Sequence, residues 1–291
     1  MKITEKHKII LMTVFAGIIG IVFFVLIYGI KTLNVTNEGW LYAADDLTQH
    51  YLGWIFYRKA DWALKIGTFN TLSFPNYASI IYTDSIPLFA VIFKALSGIL
   101  PETFQYFGLY GLLCYILQAV FAFTLLRKYI NNKFYVLIGT IFFIISPYLL
   151  QRMMWHTALS SHYLILAALC LFAYRDKYKG KPNKKIILWL SLLIACITIH
   201  LYFVPMIFVI MLITFIAEYL DDKRTFSSSV FVILSFLIVA ILILFILGAN
   251  TSKDLVYQGT GYYNINLNTF INPQGYSSIL KNLPIATERR V

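Results

Sequence analysis

An all-α, polytopic transmembrane helical bundle is the fold class this sequence predicts, on three observations. Only 13% of the 291 residues are charged, 59% are hydrophobic and the mean hydropathy is +0.73, whereas a soluble globular chain carries roughly 25% charged residues. Long uncharged apolar runs recur along the chain. The basic residues gather between those runs, so the net charge of +11 marks membrane topology and not nucleic-acid binding.

Crossing the hydrocarbon core takes a helix of about 20 mostly apolar residues. Runs of that order cover residues 9–30, 104–126, 134–150, 158–174 and 230–249. The first is too long for a signal-peptide core, and no small-x-small cleavage site follows it. Residues 186–217 are too long for one span and are interrupted at 200–205, HLYFVP. A tight helical hairpin is expected there, with His200 and Pro205 at its turn. The sum is about seven helices within residues 1–250. Cys114, Cys170 and Cys196 all lie in apolar stretches and read as small buried hydrophobes.

Charge sets the orientation. Lys2, Lys6 and Lys8 precede the first span. Arg127, Lys128 and Lys133 separate the second and third, the run from Arg175 to Lys185 separates the fourth and fifth, and Lys223 and Arg224 follow the sixth. With a cytoplasmic N-terminus and seven spans, every cluster falls inside. This predicts a multi-pass protein of the cytoplasmic membrane. The loop 31–103, the short turn 151–157 and the tail 251–291 then lie outside. Residues 86–100 are apolar but short and carry Lys94, so they are expected as an interfacial or re-entrant helix. The polar, aromatic tail suggests the start of a C-terminal region, with the chain as the N-terminal part of a larger protein.

Polar chemistry collects on the exterior side. A helix is expected from Asp45 to about Trp62, with Asp45 as its cap. On it Asp46 and His50 share a face four residues apart, and Asp45 and Gln49 form a neighbouring row. Leu47, Tyr51, Trp54 and Ile55 fall on another face, suited to the membrane surface. Further along, Tyr82 and Asp84 precede Pro87, where Asp84 is expected to cap the helix that follows. Arg152 and His156 occupy the turn 151–157, His162 lies one turn into the fourth span, and His200 sits at the hairpin turn. Capping and packing account for these residues one at a time. Collected at one membrane face, they form candidate substrate contacts: Gln49, His50, Tyr82, Asp84, Arg152, His156, His162 and His200. Arg152 lies where a lipid phosphate would sit. No spacing demands a metal, but Asp45, Asp46, His50 and Asp84 could supply oxygen and nitrogen ligands to a divalent ion. No phosphate-cradling glycine loop is present.

Three segments carry a family resemblance: Asp45-Asp46 with Gln49, His50, Tyr51, Gly53 and Trp54; Pro75-Asn76-Tyr77 with Thr83-Asp84-Ser85-Ile86-Pro87; and Arg152 with His156, Thr157, Ser161 and His162. Together with the topology, they resemble the GT-C class of integral-membrane glycosyltransferases, in a poorly characterised bacterial branch. The resemblance implies transfer of a sugar from a polyprenyl-phosphate donor to a glycan or lipid acceptor at the exterior face. It implies a catalytic base or metal ligand at Asp45 or Asp46, with Asp84 as second acid. The alternative from the residues themselves is a transporter or flippase for a lipid-linked or small polar substrate. That would call for ionisable groups near the bilayer midplane and a repeated half, and neither is evident.

Overall fold

The computed structural model describes residues 5–251, 271–273 and 277–283, without the side chains of Glu5, Lys6, Asp45 and Arg224. It divides into two units, Met1–Ser252 and Lys253–Val291. In the second, the Leu283 amide donates to Asn272 Oδ1 at 3.1 Å.

The first unit is an all-α bundle. Its helices are α1 (Glu5–Tyr28), α2 (Asp45–Lys59), α3 (Pro87–Ala95), α4 (Phe107–Tyr129), α5 (Lys133–Ile144), α6 (Pro147–Trp155), α7 (Tyr163–Ala173), α8 (Pro182–Ile199), α9 (Phe203–Asp221) and α10 (Phe226–Ile246). Among the described residues, six helical stretches are long and apolar enough to cross a membrane: His7–Tyr28, Phe107–Tyr129, Lys133–Trp155, Pro182–Ile199, Phe203–Asp221 and Phe226–Ile246. The seventh expected span is a shorter apolar stretch, Thr157–Ala173. The spans turn large apolar side chains outward, among them Phe231, Leu234, Ile238, Ile241 and Phe245 of α10, as a lipid-facing surface requires.

Small residues let helices approach. A Cβ on Gly20 would lie 2.5 Å from the Tyr115 carbonyl oxygen, so α1 and α4 cross backbone to backbone. Tyr28 and Tyr115 share a hydroxyl hydrogen bond of 2.7 Å beside that crossing. Lys185 pairs with Glu218 and Arg175 with Asp221, and Lys128 lies over the Tyr174 ring at 5.5 Å, so the basic segments after α4 and α7 meet the end of α9 on one side of the bundle.

The hairpin forms as expected, with α8 ending at Ile199 and α9 starting at Phe203. Residues 151–157 are not a turn. Ser146-Pro147 breaks the third span, with Ser146 accepting from the Leu149 amide at 3.4 Å and Pro147 starting α6, where its missing N–H costs nothing. The helix then runs on to Trp155, which carries Gln151 and Arg152 in its later part.

Two further expectations are corrected in the loop 31–103. The helix from Asp45 stops at Lys59, and its N-cap is Ala44, not Asp45. Its Leu47, Tyr51, Trp54 and Tyr57 are fully buried in protein instead of facing the membrane surface. Their polar tips explain the difference. The Tyr51 hydroxyl donates to Glu38, Trp54 Nε1 to Phe104 O at 2.9 Å and the Tyr57 hydroxyl to Ile66 O at 2.5 Å, partners that lipid cannot supply. The second correction concerns Asp84, which does not cap α3; Ile86 occupies that place. At nine residues, α3 extends about 14 Å and cannot cross. Lys94 anchors it, buried, donating to Asp61 O at 3.2 Å and lying over the Tyr57 and Trp62 rings. A short antiparallel pair, β1 (Thr68–Phe69) and β2 (Ala78–Ser79), leads into a single turn of 3-10 helix, Ile80–Thr83, which ends at Asp84.

Candidate functional site

Asp84 and Ile86 both adopt left-handed backbone conformations, with φ of 54° and 52°. For Asp this is uncommon; for a β-branched residue it is an outlier, costing about 1–3 kcal/mol that the surroundings must supply. They do. Ser85 Oγ donates to the His50 carbonyl at 2.6 Å, Thr83 and Ser85 share a 2.8 Å hydroxyl contact, and the buried Tyr106 hydroxyl donates to Ser85 O. Gly53 of α2 makes room, since a Cβ there would lie 2.5 Å from Thr83 Cβ and 2.7 Å from Ser85 Oγ. The loop is clamped to α2 with the Asp84 carboxylate held in place.

Around that carboxylate stand three histidines from three other elements. His50 comes from α2, His156 from the end of α6 and His200 from the end of α8. His200 Nε2 lies 3.2 Å from Asp84 Oδ1, while His156 Nε2 and His50 Nε2 lie 3.4 and 4.0 Å from Oδ2. The His50 and His156 rings meet edge to face at 4.3 Å, and those of His156 and His200 at 5.2 Å. His50 is 1% exposed and Asp84 29%, so the group opens on the carboxylate side.

Electrostatics fixes the charge states. Burial drives His50 down to about 3, assisted by the neighbouring His156 and only partly opposed by Asp84, so its imidazole is neutral at pH 7. Burial alone would raise Asp84. The facing imidazoles of His156 and His200, with a smaller contribution from His50, outweigh it and hold the carboxyl below the usual range. The Tyr202 backbone N–H donates to His200 Nδ1 at 3.2 Å, placing the His200 proton on Nε2, toward Asp84. The Nδ1 atoms of His50 and His156 are buried without a hydrogen-bond partner among the described residues, which costs about 1–3 kcal/mol for each such group.

A second polar group adjoins the first. Arg152 lies 5.0 Å over the Tyr148 ring, and His162 packs on the same ring at 4.5 Å. Phe203 touches both His162 and His200, at 6.2 and 6.3 Å between ring centres. Arg152 Nε is buried with no partner among the described residues.

Of the sequence candidates, His50, Asp84, His156 and His200 converge, and Arg152 and His162 form the adjoining pair. Tyr82 is exposed and donates to Ala249 O at 2.7 Å, tethering the loop to the end of α10. Asp46 and Gln49 are exposed on α2, outside the cluster. The side chain of Asp45 lies outside the described residues. Sequence spacing pairs His50 with Asp46 and leaves His156 and His200 unlinked to Asp84. The one signal in the sequence that they belong together is topological: the charge pattern leads one to expect all of them at one membrane face.

A cavity of about 880 Å³, lined by none of the clustered residues themselves, runs between α4, α7 and α8. Leu88, Phe89, Tyr163 and Ile199 line one end, and Arg127, Lys128 and Lys177 the other. Ile199 immediately precedes His200, and Leu88 lies four residues after Asp84.

The chain belongs to a family described as "Domain of unknown function (DUF6311)", whose model matches residues 17–290. No curated protein and no solved structure matches it.

Proposed function

We propose that this family member is a membrane-embedded glycosyltransferase taking its sugar from a polyprenyl-phosphate donor at the exterior surface of the cytoplasmic membrane. The observation that carries this is the half-buried, ionised Asp84 among three imidazoles, with Arg152 nearby and a largely apolar cavity whose lining reaches Ile199, the residue before His200. The cavity suits the hydrocarbon of a lipid donor. Arg152, whose buried Nε has no hydrogen-bond partner among the described residues, suits the phosphate. In the reaction an acceptor hydroxyl attacks the anomeric carbon, and the bond from that carbon to the phosphate oxygen breaks. The phosphate departs with the electron pair, and a carboxylate accepts the hydroxyl proton. Arg152 stabilises the charge growing on the leaving group. Two carboxylates are candidates for the proton: Asp84 in the cluster and Asp46, exposed one helical turn before His50 on α2.

Membranes carrying the chain are expected to transfer label from polyprenyl-phosphate sugars to a glycan or lipid acceptor. Arg152→Gln lowers turnover by about 10²-fold, the scale for losing one preorganised charge stabiliser, and leaves the melting temperature unchanged. Absence of transfer across the common donors, or an Arg152→Gln protein with wild-type turnover, overturns the assignment.

The site faces outward only if the basic loops face the cytoplasm. Introduced as Asn70→Cys and Asn183→Cys, a thiol is expected to react with an impermeant reagent at position 70 and not at 183. Labelling at 183 reverses the orientation and removes the lipid-donor mechanism with it.

A further inference from the structure

We propose that His50, His156 and Asp84 bind a divalent transition-metal ion of the zinc class, with His200 as a positioning residue for the carboxylate. The donor set comes first. Two imidazole nitrogens and one carboxylate oxygen suit zinc, cobalt or iron, whereas magnesium and calcium take oxygen shells. One ligand atom from each of the three residues lies within 4.8 Å of the others.

Spacing is the second argument. Ligands about 2.0–2.1 Å from one tetrahedral ion stand about 3.4 Å apart. His156 Nε2 and Asp84 Oδ2 are 3.4 Å apart, and His50 Nε2 is 4.0 Å from the same oxygen. These exceed the 2.7–3.2 Å of an N–H···O hydrogen bond. No hydrogen bond therefore explains why His50, 1% exposed, is buried with Nε2 turned toward this carboxylate. A shared ion explains it.

His200 differs. Its Nδ1 accepts from the Tyr202 amide, so Nε2 carries the proton and donates to Oδ1, leaving Oδ2 to the ion. A ligating carboxylate steadied by an outer hydrogen bond is the usual arrangement around a bound metal. Three protein ligands leave a coordination position open, as catalytic zinc sites do. The ion also raises the local charge from −1 to +1, which favours an anionic substrate. Under the transferase reading, on which only this last step rests, Asp84 is occupied as a ligand and the proton acceptor is Asp46.

The test uses the full chain purified in detergent, equilibrated with zinc at micromolar free concentration and measured by elemental mass spectrometry. About one equivalent is expected, and cobalt in its place gives visible bands of a low-coordinate site. His50→Gln and His156→Gln each lower zinc affinity by more than about 100-fold, while gel filtration and helical circular dichroism remain those of the wild type. His200→Gln binds one equivalent with affinity reduced about 10- to 100-fold, the scale for an outer-shell partner. A folded wild-type chain without zinc or a cobalt band overturns the site, as does unchanged affinity in a folded His156→Gln. Transfer and metal are scored separately. Bound zinc without transfer supports the ion and removes the transferase; transfer by a folded protein that takes up no zinc keeps the transferase and removes the ion.

Discussion

Asp84→Asn is expected to lower sugar transfer by about 10²- to 10⁴-fold, the scale for losing a group that handles the reacting proton or holds its position, and to leave the protein folded. Shape is conserved, since Asn fills the volume of Asp and is among the few residues at ease with a left-handed backbone. The φ of 54° at this position is therefore tolerated. Charge is not conserved. The amide leaves three imidazoles without the anion that gathers them and weakens the ligand set. Asp84→Ala separates the two effects by adding backbone strain of about 1–2 kcal/mol, visible as a lower melting temperature. The measurement is transfer in reconstituted vesicles beside a thermal melt. Full transfer by folded Asp84→Asn moves the centre away from this cluster and toward Asp45 or Asp46.

Span positions were legible in the sequence because the bilayer imposes a length and a composition on each one independently of its neighbours. The hairpin about His200 and the non-crossing helix after Asp84 follow from that constraint and from single residues, Pro205 and Lys94. Two of the misplaced features have another origin. The aromatic face of α2 looks like a membrane-binding face in isolation, and only tertiary partners such as Phe104 O for Trp54 reveal it as core. Residues 151–157 look like a turn by polarity, yet Pro147 restarts the helix and carries Arg152 into it.

The site was legible only as a list. His50, Asp84, His156 and His200 all mapped to one membrane face, so their convergence was permitted but not specified. Local spacing favoured Asp46 as the partner of His50. What links His50 to Asp84 is a left-handed turn 34 residues later, and a left-handed Asp or Ile has no one-dimensional signature. Tyr82 shows the converse, a polar residue that joins substrate candidates by position and instead ties its loop to Ala249.

Gly53→Ala is expected to damage the site from outside it. In an exposed helix interior, the change would stabilise by up to about 1 kcal/mol. Here the new methyl lies 2.5 Å from Thr83 Cβ and 2.7 Å from Ser85 Oγ, and overpacking a tight contact costs about 1–3 kcal/mol. Net stability falls slightly. The loop that must yield is the one holding Asp84, because Thr83 and Ser85 are bonded to each other and to the His50 carbonyl. A displacement near 1 Å at a reacting group costs about 10²-fold in rate, so transfer drops far more than the melting temperature. Gly17→Ala is the control. Its methyl would meet only Ile116 and Val120 side chains at 3.6 Å, an ordinary contact, so activity is retained and stability is equal or higher. Gly53→Ala with wild-type transfer would mean that the α2 clamp on Thr83–Ser85 does not position the carboxylate.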